Sequence, residues 1–160
     1  MELVHIITPL AITGAGVVTG LLFAFSNFVL RSLAELPAET GMFAMNRINV
    51  RIINPIFLIF FLGTPLLCVL IVLQTVSALT TPGSMLLALG AVVYLLGPFA
   101  ITITFNVPLN NKLAKTQADD AGQAWPDYQQ RWQFWNHVRS YLGILSILLM
   151  TYGLVAYPTQ

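Results

Sequence analysis

Three runs without a single Asp, Glu, Lys or Arg govern what this chain can fold into: residues 3–30, 52–111 and 140–160. A bilayer span needs roughly 20 consecutive apolar residues. The first and last runs hold one span each, and the middle run holds two joined by a turn. Charged residues make up only 8% of the 160, and 57% are hydrophobic. A soluble domain carries about 25% charged residues, so this chain cannot clothe itself in a water-facing surface. Period-two alternation is absent, which argues against a barrel. The expectation is one all-α integral membrane domain, a four-helix bundle with spans at about 3–30, 55–79, 84–106 and 137–157.

The segments between the runs complete the architecture. Pro37 and Glu39 open a short interfacial helix after the first span, with Met42, Met45, Asn49 and Ile52 on one face and Arg47 and Arg51 elsewhere. Thr80-Thr-Pro-Gly83 is an uncharged turn. Pro108 makes regular helix past Asn106 doubtful, and a polar linker follows from Lys112 to Gln123. Before the last span comes an aromatic amphipathic helix holding all three tryptophans, Trp125, Trp132 and Trp135. In the first span, Thr13, Gly16, Gly20, Ala24, Asn27 and Arg31 form one stripe of small and polar residues. Small residues allow close helix approach in lipid, so that stripe is expected to face inward.

All seven Lys and Arg lie in or beside the segments 31–54 and 108–139. The positive-inside rule then puts both segments in the cytosol and both termini outside. The N-terminal run carries Glu2 and no basic residue before it, and reads as a first span rather than a cleaved signal peptide. A net charge of +1 without a basic run argues against nucleic acid. Cys68, the single cysteine, has no internal partner. His5 and His137 fall at opposite ends of a bundle about 30 Å thick and cannot share one ion. No metal site and no cofactor are expected.

The stretch 125–139 is either an interfacial anchor or one wall of a binding site. At 100° per residue, Trp125, Tyr128, Trp132, Trp135, Asn136 and Arg139 share one side of a helix. Gly143, Ser146, Met150 and Gly153 continue that face, so it is expected to turn inward. The same phase puts His137 nearly opposite the tryptophans, unless the chain bends between Trp135 and the last span. Asn27, Asn49, Asn106, Asn110 and Asn136 gather at the same end of the bundle. Amides can hold a carbonyl or phenolic oxygen, tryptophan faces can stack a flat ring, and a neutral histidine can accept a proton.

Asn106-Val-Pro-Leu-Asn110, followed by Trp125-x2-Tyr128-x3-Trp132-x2-Trp135-Asn136-His137-x-Arg139, resembles the anthrone oxygenase-like family of small four-helix membrane proteins. Gly20-x4-Phe25-Ser26 and Met45-Asn46-x2-Asn49 extend the resemblance over nearly the whole chain. Fungal members oxidise anthrones with molecular oxygen and no evident cofactor. The resemblance implies a mechanism in which His137 removes a proton from a polycyclic phenol lying flat on Trp132 or Trp135. Asn106, Asn110 and Asn136 would hold the enolate, and Tyr128, Arg139, Asn49 and Asn27 would complete the site. The carbanion would reduce oxygen directly. The alternative is a non-catalytic membrane subunit whose aromatic rim meets lipid, a second copy or a larger complex.

Overall fold

A computed structural model describes residues 3–157, so Glu2 and the last three residues of the C-terminal run lie outside it. The described residues contain helices and no strand. Four helices are long and apolar enough to cross a membrane: α1 (Leu3–Ala34), α3 (Pro55–Ala78), α4 (Pro82–Ala114) and α5 (Ala118–Ala156). The shorter α2 (Ala38–Arg51) connects α1 to α3. Around the bundle the order is α1, α3, α4, α5, and α5 closes the ring on α1.

Local sequence sets the helix starts. Asn54 precedes α3 and its Oδ1 accepts the Phe57 N–H at 3.1 Å, with Pro55 in the first turn where its missing N–H costs nothing. Thr81 precedes α4 in extended conformation and donates its hydroxyl to Ser84 Oγ at 2.8 Å. Two of the spans change pitch. Phe25–Val29 in α1 and Leu95–Asn106 in α4 are π-helical. Pro98 offers no N–H to the α ladder of α4, and the wider winding begins three residues before it. By Asn106 the winding has shifted so that the Val107 N–H bonds Thr102 O. Pro108 then falls in the first turn of a new α segment. A helix start tolerates proline, so α4 runs on to Ala114 instead of ending near Asn106.

The aromatic helix and the last span are one unbroken helix, regular from Ala121 to Ala156. At 1.5 Å per residue these 36 residues reach about 54 Å, well beyond a hydrocarbon core of about 30 Å. The helix is therefore too long to lie wholly within such a slab, and the bend that would have re-aimed His137 does not occur.

The inward face of α5 follows the expected phase: Trp125, Tyr128, Trp132, Asn136, Arg139, Gly143, Ser146, Met150 and Gly153 are buried. The inward face of α1 does not. Its buried residues are Val4, Ile7, Thr8, Ala11, Gly14, Ala15, Val18, Thr19, Leu22, Ser26 and Leu30, while Thr13, Gly16, Gly20, Asn27 and Arg31 are exposed. Both stripes contain small residues at spacings of three and four, so composition alone does not choose between them. Contact with partner helices does. A Cβ on Gly14 would collide with Thr64 of α3, whereas one on Gly16 or Gly20 would meet nothing within 4 Å.

Two apolar clusters result. One, built on Val4, Ala11, Cys68, Ile71, Leu87, Tyr94 and Met150, fills the end near the termini. The other joins Leu30, Met42, Met45, Leu113, Trp125, Tyr128 and Trp132 at the end that carries the basic residues, hereafter the polar end. Among the close helix contacts, Gly143 lies against Thr19, and Gly90 lies against the Met150 backbone and side chain, with no room for a Cβ at either. Gly90→Leu is expected to lower stability by about 1–3 kcal/mol through overpacking, read as a lower thermal midpoint in detergent. Gly16→Leu should leave that midpoint unchanged.

Candidate functional site

The site is built from the bottom of α5 upward. Trp125, Tyr128 and Trp132 recur at helical spacing and stack as a ladder, with ring centroids 5.6 and 6.2 Å apart. Phe25 from the π-helical turn of α1 tilts against Trp132 at 5.5 Å. The next turn of α5 adds Arg139, whose Cζ lies 5.1 Å from the Trp132 ring centre, within cation–π range.

Arg139 is only 5% exposed, and its partners are all neutral. Its Nε and Nη2 both donate to Asn136 Oδ1, at 3.1 and 2.8 Å. Its Nη1 donates to Thr102 Oγ1 at 2.7 Å, and Thr102 in turn donates to Pro98 O at 2.6 Å. Asn136 is 0% exposed. Its Nδ2 donates to Leu22 O at 2.9 Å and to Ser26 Oγ at 2.7 Å, and the Ser26 hydroxyl meets that of Ser140. One amide thus ties α1 to α5 and holds the guanidinium against α4. The only ion pair among the described residues is the exposed Arg131–Asp127 contact. No carboxylate neutralises Arg139.

Beside this network lies a cavity of about 240 Å³. Leu21, Phe25, Met45, Ile48, Ile52, Phe57, Leu58 and Phe61 make its walls apolar, and Trp132 makes one of them flat. Polar groups enter from Thr102, Asn49, Asn110 and Arg139. The Tyr128 hydroxyl donates to Asn110 Oδ1 at 2.9 Å. A wider groove lined by Asn46, Arg47 and Asn111 lies next to it at the polar end and shares Asn49 and Asn110 with the cavity.

Of the residues picked out in the sequence, Asn49, Asn110, Trp132 and Arg139 line this cavity. Asn136 and Tyr128 stand directly behind its polar wall through their bonds to Arg139 and Asn110. Asn106 is buried but donates to Trp132 O at 3.2 Å, joining α4 to α5 away from the lining. Trp135 stacks on Phe105 at 3.7 Å and meets Phe134 edge-on. Asn27 is exposed on the outer side of α1. His137 stacks with Tyr141, an exposed residue, and is not among the cavity-lining residues. Ser26 entered the sequence reading only as part of the family resemblance, and neither it nor Thr102 nor Ser140 was assigned to the site. Their signal was a hydroxyl in an otherwise apolar helix, four residues from Leu22 in one case and from Asn136 in another. His5 packs edge-on against Tyr157 at the far end. Among the described residues, no three of His, Cys, Asp and Glu gather as a metal-ligand set.

These features define a class: a four-span membrane bundle with an aromatic-walled cavity and a buried, caged arginine at its polar end. The family model for anthrone oxygenase matches residues 56–149, more than half of the chain. The chain belongs to the anthrone oxygenase family, and the match takes in α5 through Asn136 and Arg139. No curated protein and no solved structure matches it.

Asn136→Ala removes the shared acceptor of the guanidinium and two donors to α1. Leaving buried polar groups unpaired costs about 1–3 kcal/mol each, more for a charge. A drop of that size in unfolding free energy is expected in denaturant titrations of the detergent-solubilised protein. Asn27→Ala, at the exposed position, should change it by less than about 0.5 kcal/mol.

Proposed function

We propose that this protein is an oxygenase-like membrane enzyme acting on a planar phenolic or quinone-type aromatic molecule held in the cavity beside Trp132. The observation that carries this reading is the cavity itself. Its walls are apolar and aromatic, and its polar groups come from Arg139, Thr102, Asn49 and Asn110. Ligand sites have this character, with a few placed polar groups fixing orientation inside an apolar shell. Membership of the anthrone oxygenase family supports the reaction type.

A flat ring lying on Trp132 directs its ring oxygens toward the amides and the guanidinium. Charge that develops on such an oxygen as a C–H or O–H proton leaves is then stabilised where it forms. Oxidation of a benzylic CH2 to a carbonyl by one molecule of dioxygen, with release of water, balances without an outside reductant. His137 has no part in this reading, because the cavity lining contains neither histidine nor carboxylate. By the positive-inside rule the polar end is read as cytosolic, with both termini outside.

The test is oxygen uptake by the purified protein with an anthrone, together with quenching of tryptophan fluorescence. Ile48→Trp fills the cavity from α2 without touching the Asn136 network, and is expected to lower uptake at least tenfold. His137→Ala should retain it. If the wild type neither consumes oxygen with an anthrone nor binds a planar phenol, the enzyme reading fails and a non-catalytic membrane subunit takes its place.

A further inference from the structure

We propose that the cavity binds its aromatic ligand as an oxyanion, with Arg139 as the counter-ion, so that the site selects ionisable phenols and enols over their ethers. This rests on the reading of the cavity as an aromatic site and adds the charge state of what it holds.

Three observations converge on it. The first is the uncompensated charge. Arg139 is 5% exposed, lines an apolar cavity, and is bonded only to neutral acceptors. A guanidinium stays protonated in proteins, and a buried ion without a counter-charge is strongly disfavoured. An anionic ligand would supply the missing charge.

The second is direction. A guanidinium has five N–H donors, and Asn136 and Thr102 take three of them. One hydrogen on each terminal nitrogen has no partner within the protein, which leaves two charged N–H donors for an oxygen acceptor.

The third is the imbalance of donors over acceptors. The buried polar atoms on the cavity lining left without a hydrogen bond are Nε1 of Trp132 and Nδ2 of Asn49. Both are donors. Two of the acceptors on the lining are already engaged, Thr102 Oγ1 by Arg139 and Asn110 Oδ1 by Tyr128. Trp132 is 97% buried, being 3% exposed, so its unpaired N–H is a real deficit. A lining with donors to spare favours an oxygen bearing a full negative charge over a neutral ether oxygen, which accepts weakly.

The lining also lacks a base: no carboxylate and no histidine belongs to it. The O–H bond therefore breaks with its proton passing to solvent, and the electron pair stays on oxygen beside the guanidinium. No oxidant or reductant enters that step.

The experiment uses the full chain in nanodiscs of zwitterionic lipid, with 2-hydroxyanthraquinone as a coloured acid and 2-methoxyanthraquinone as its ether. Empty nanodiscs give the reference. Bound 2-hydroxyanthraquinone is expected to titrate about one pKa unit or more below its value in empty discs, a tenfold preference for the anion. Its affinity should rise between the bound and the reference pKa, by about tenfold in total for a shift of one unit, and stay level on either side. The ether's affinity should not depend on pH. Arg139→Met should abolish the shift while still binding the ether. If that variant does not fold, the comparison of phenol with ether on the wild type decides by itself. Binding of both probes with no downward shift, or an ether bound as tightly as the phenol at high pH, overturns the oxyanion proposal and leaves the aromatic site standing. Failure of both probes to bind overturns the two together.

Discussion

Everything at the polar end of this protein depends on a cation buried without an anion. Taking a guanidinium out of water costs several kcal/mol even after relaxation. The protein meets that cost with neutral groups: two bonds to Asn136, one to Thr102 and the face of Trp132. Hydrogen bonds to a charged group contribute about 1.5–3 kcal/mol each, and a desolvated cation–π contact about 2. These offsets are enough to keep the charge in place, and they leave it electrostatically unanswered. A carboxylate partner would have stabilised the fold more simply and cancelled the field inside the cavity.

The cage also explains why the helices meet as they do. Asn136 reaches Leu22 O and Ser26 on α1 while it holds Arg139, which reaches Thr102 on α4. Three spans are thereby locked in rotation about their axes by one amide and one guanidinium. Both partner segments lie at or beside π-helical winding, Ser26 and Thr102 within it and Leu22 just before it. A π-turn changes the phase of the residues that follow and is often found at functional sites. Here it brings a hydroxyl on each flanking helix to face α5. Above this layer aliphatic and small residues pack with Tyr94, Met150 and buried Thr and Ser hydroxyls; below it Trp125, Tyr128 and Trp132 pack with Leu and Met side chains.

Much of this was legible in the residues. Charge-free runs determine the number of spans, because lipid offers no partner to a charge. The 100° phase determines which side of α5 is buried, since Trp132, Asn136, Arg139, Gly143 and Ser146 fall on one line and the helix is regular throughout. Aromatic and amide residues gathered at one end were enough to locate the candidate site there. The stripe on α1 shows where such reasoning ends. Two small-residue faces lie side by side on that helix, and both satisfy the same packing rule.

The sequence by itself determined the class of fold, the inward face of α5 and the end of the bundle where the aromatic and amide residues gather, because hydrophobicity and helical period are local properties. The tertiary structure alone decided two things: the rotation of α1 and the continuation of α4 through Pro108. Each depends on how one helix meets another or on a shift in winding that a fixed period of 3.6 does not contain. It also decided that Arg139, one of seven basic residues in the sequence, is the one held in the dark of the bundle with two donors to spare.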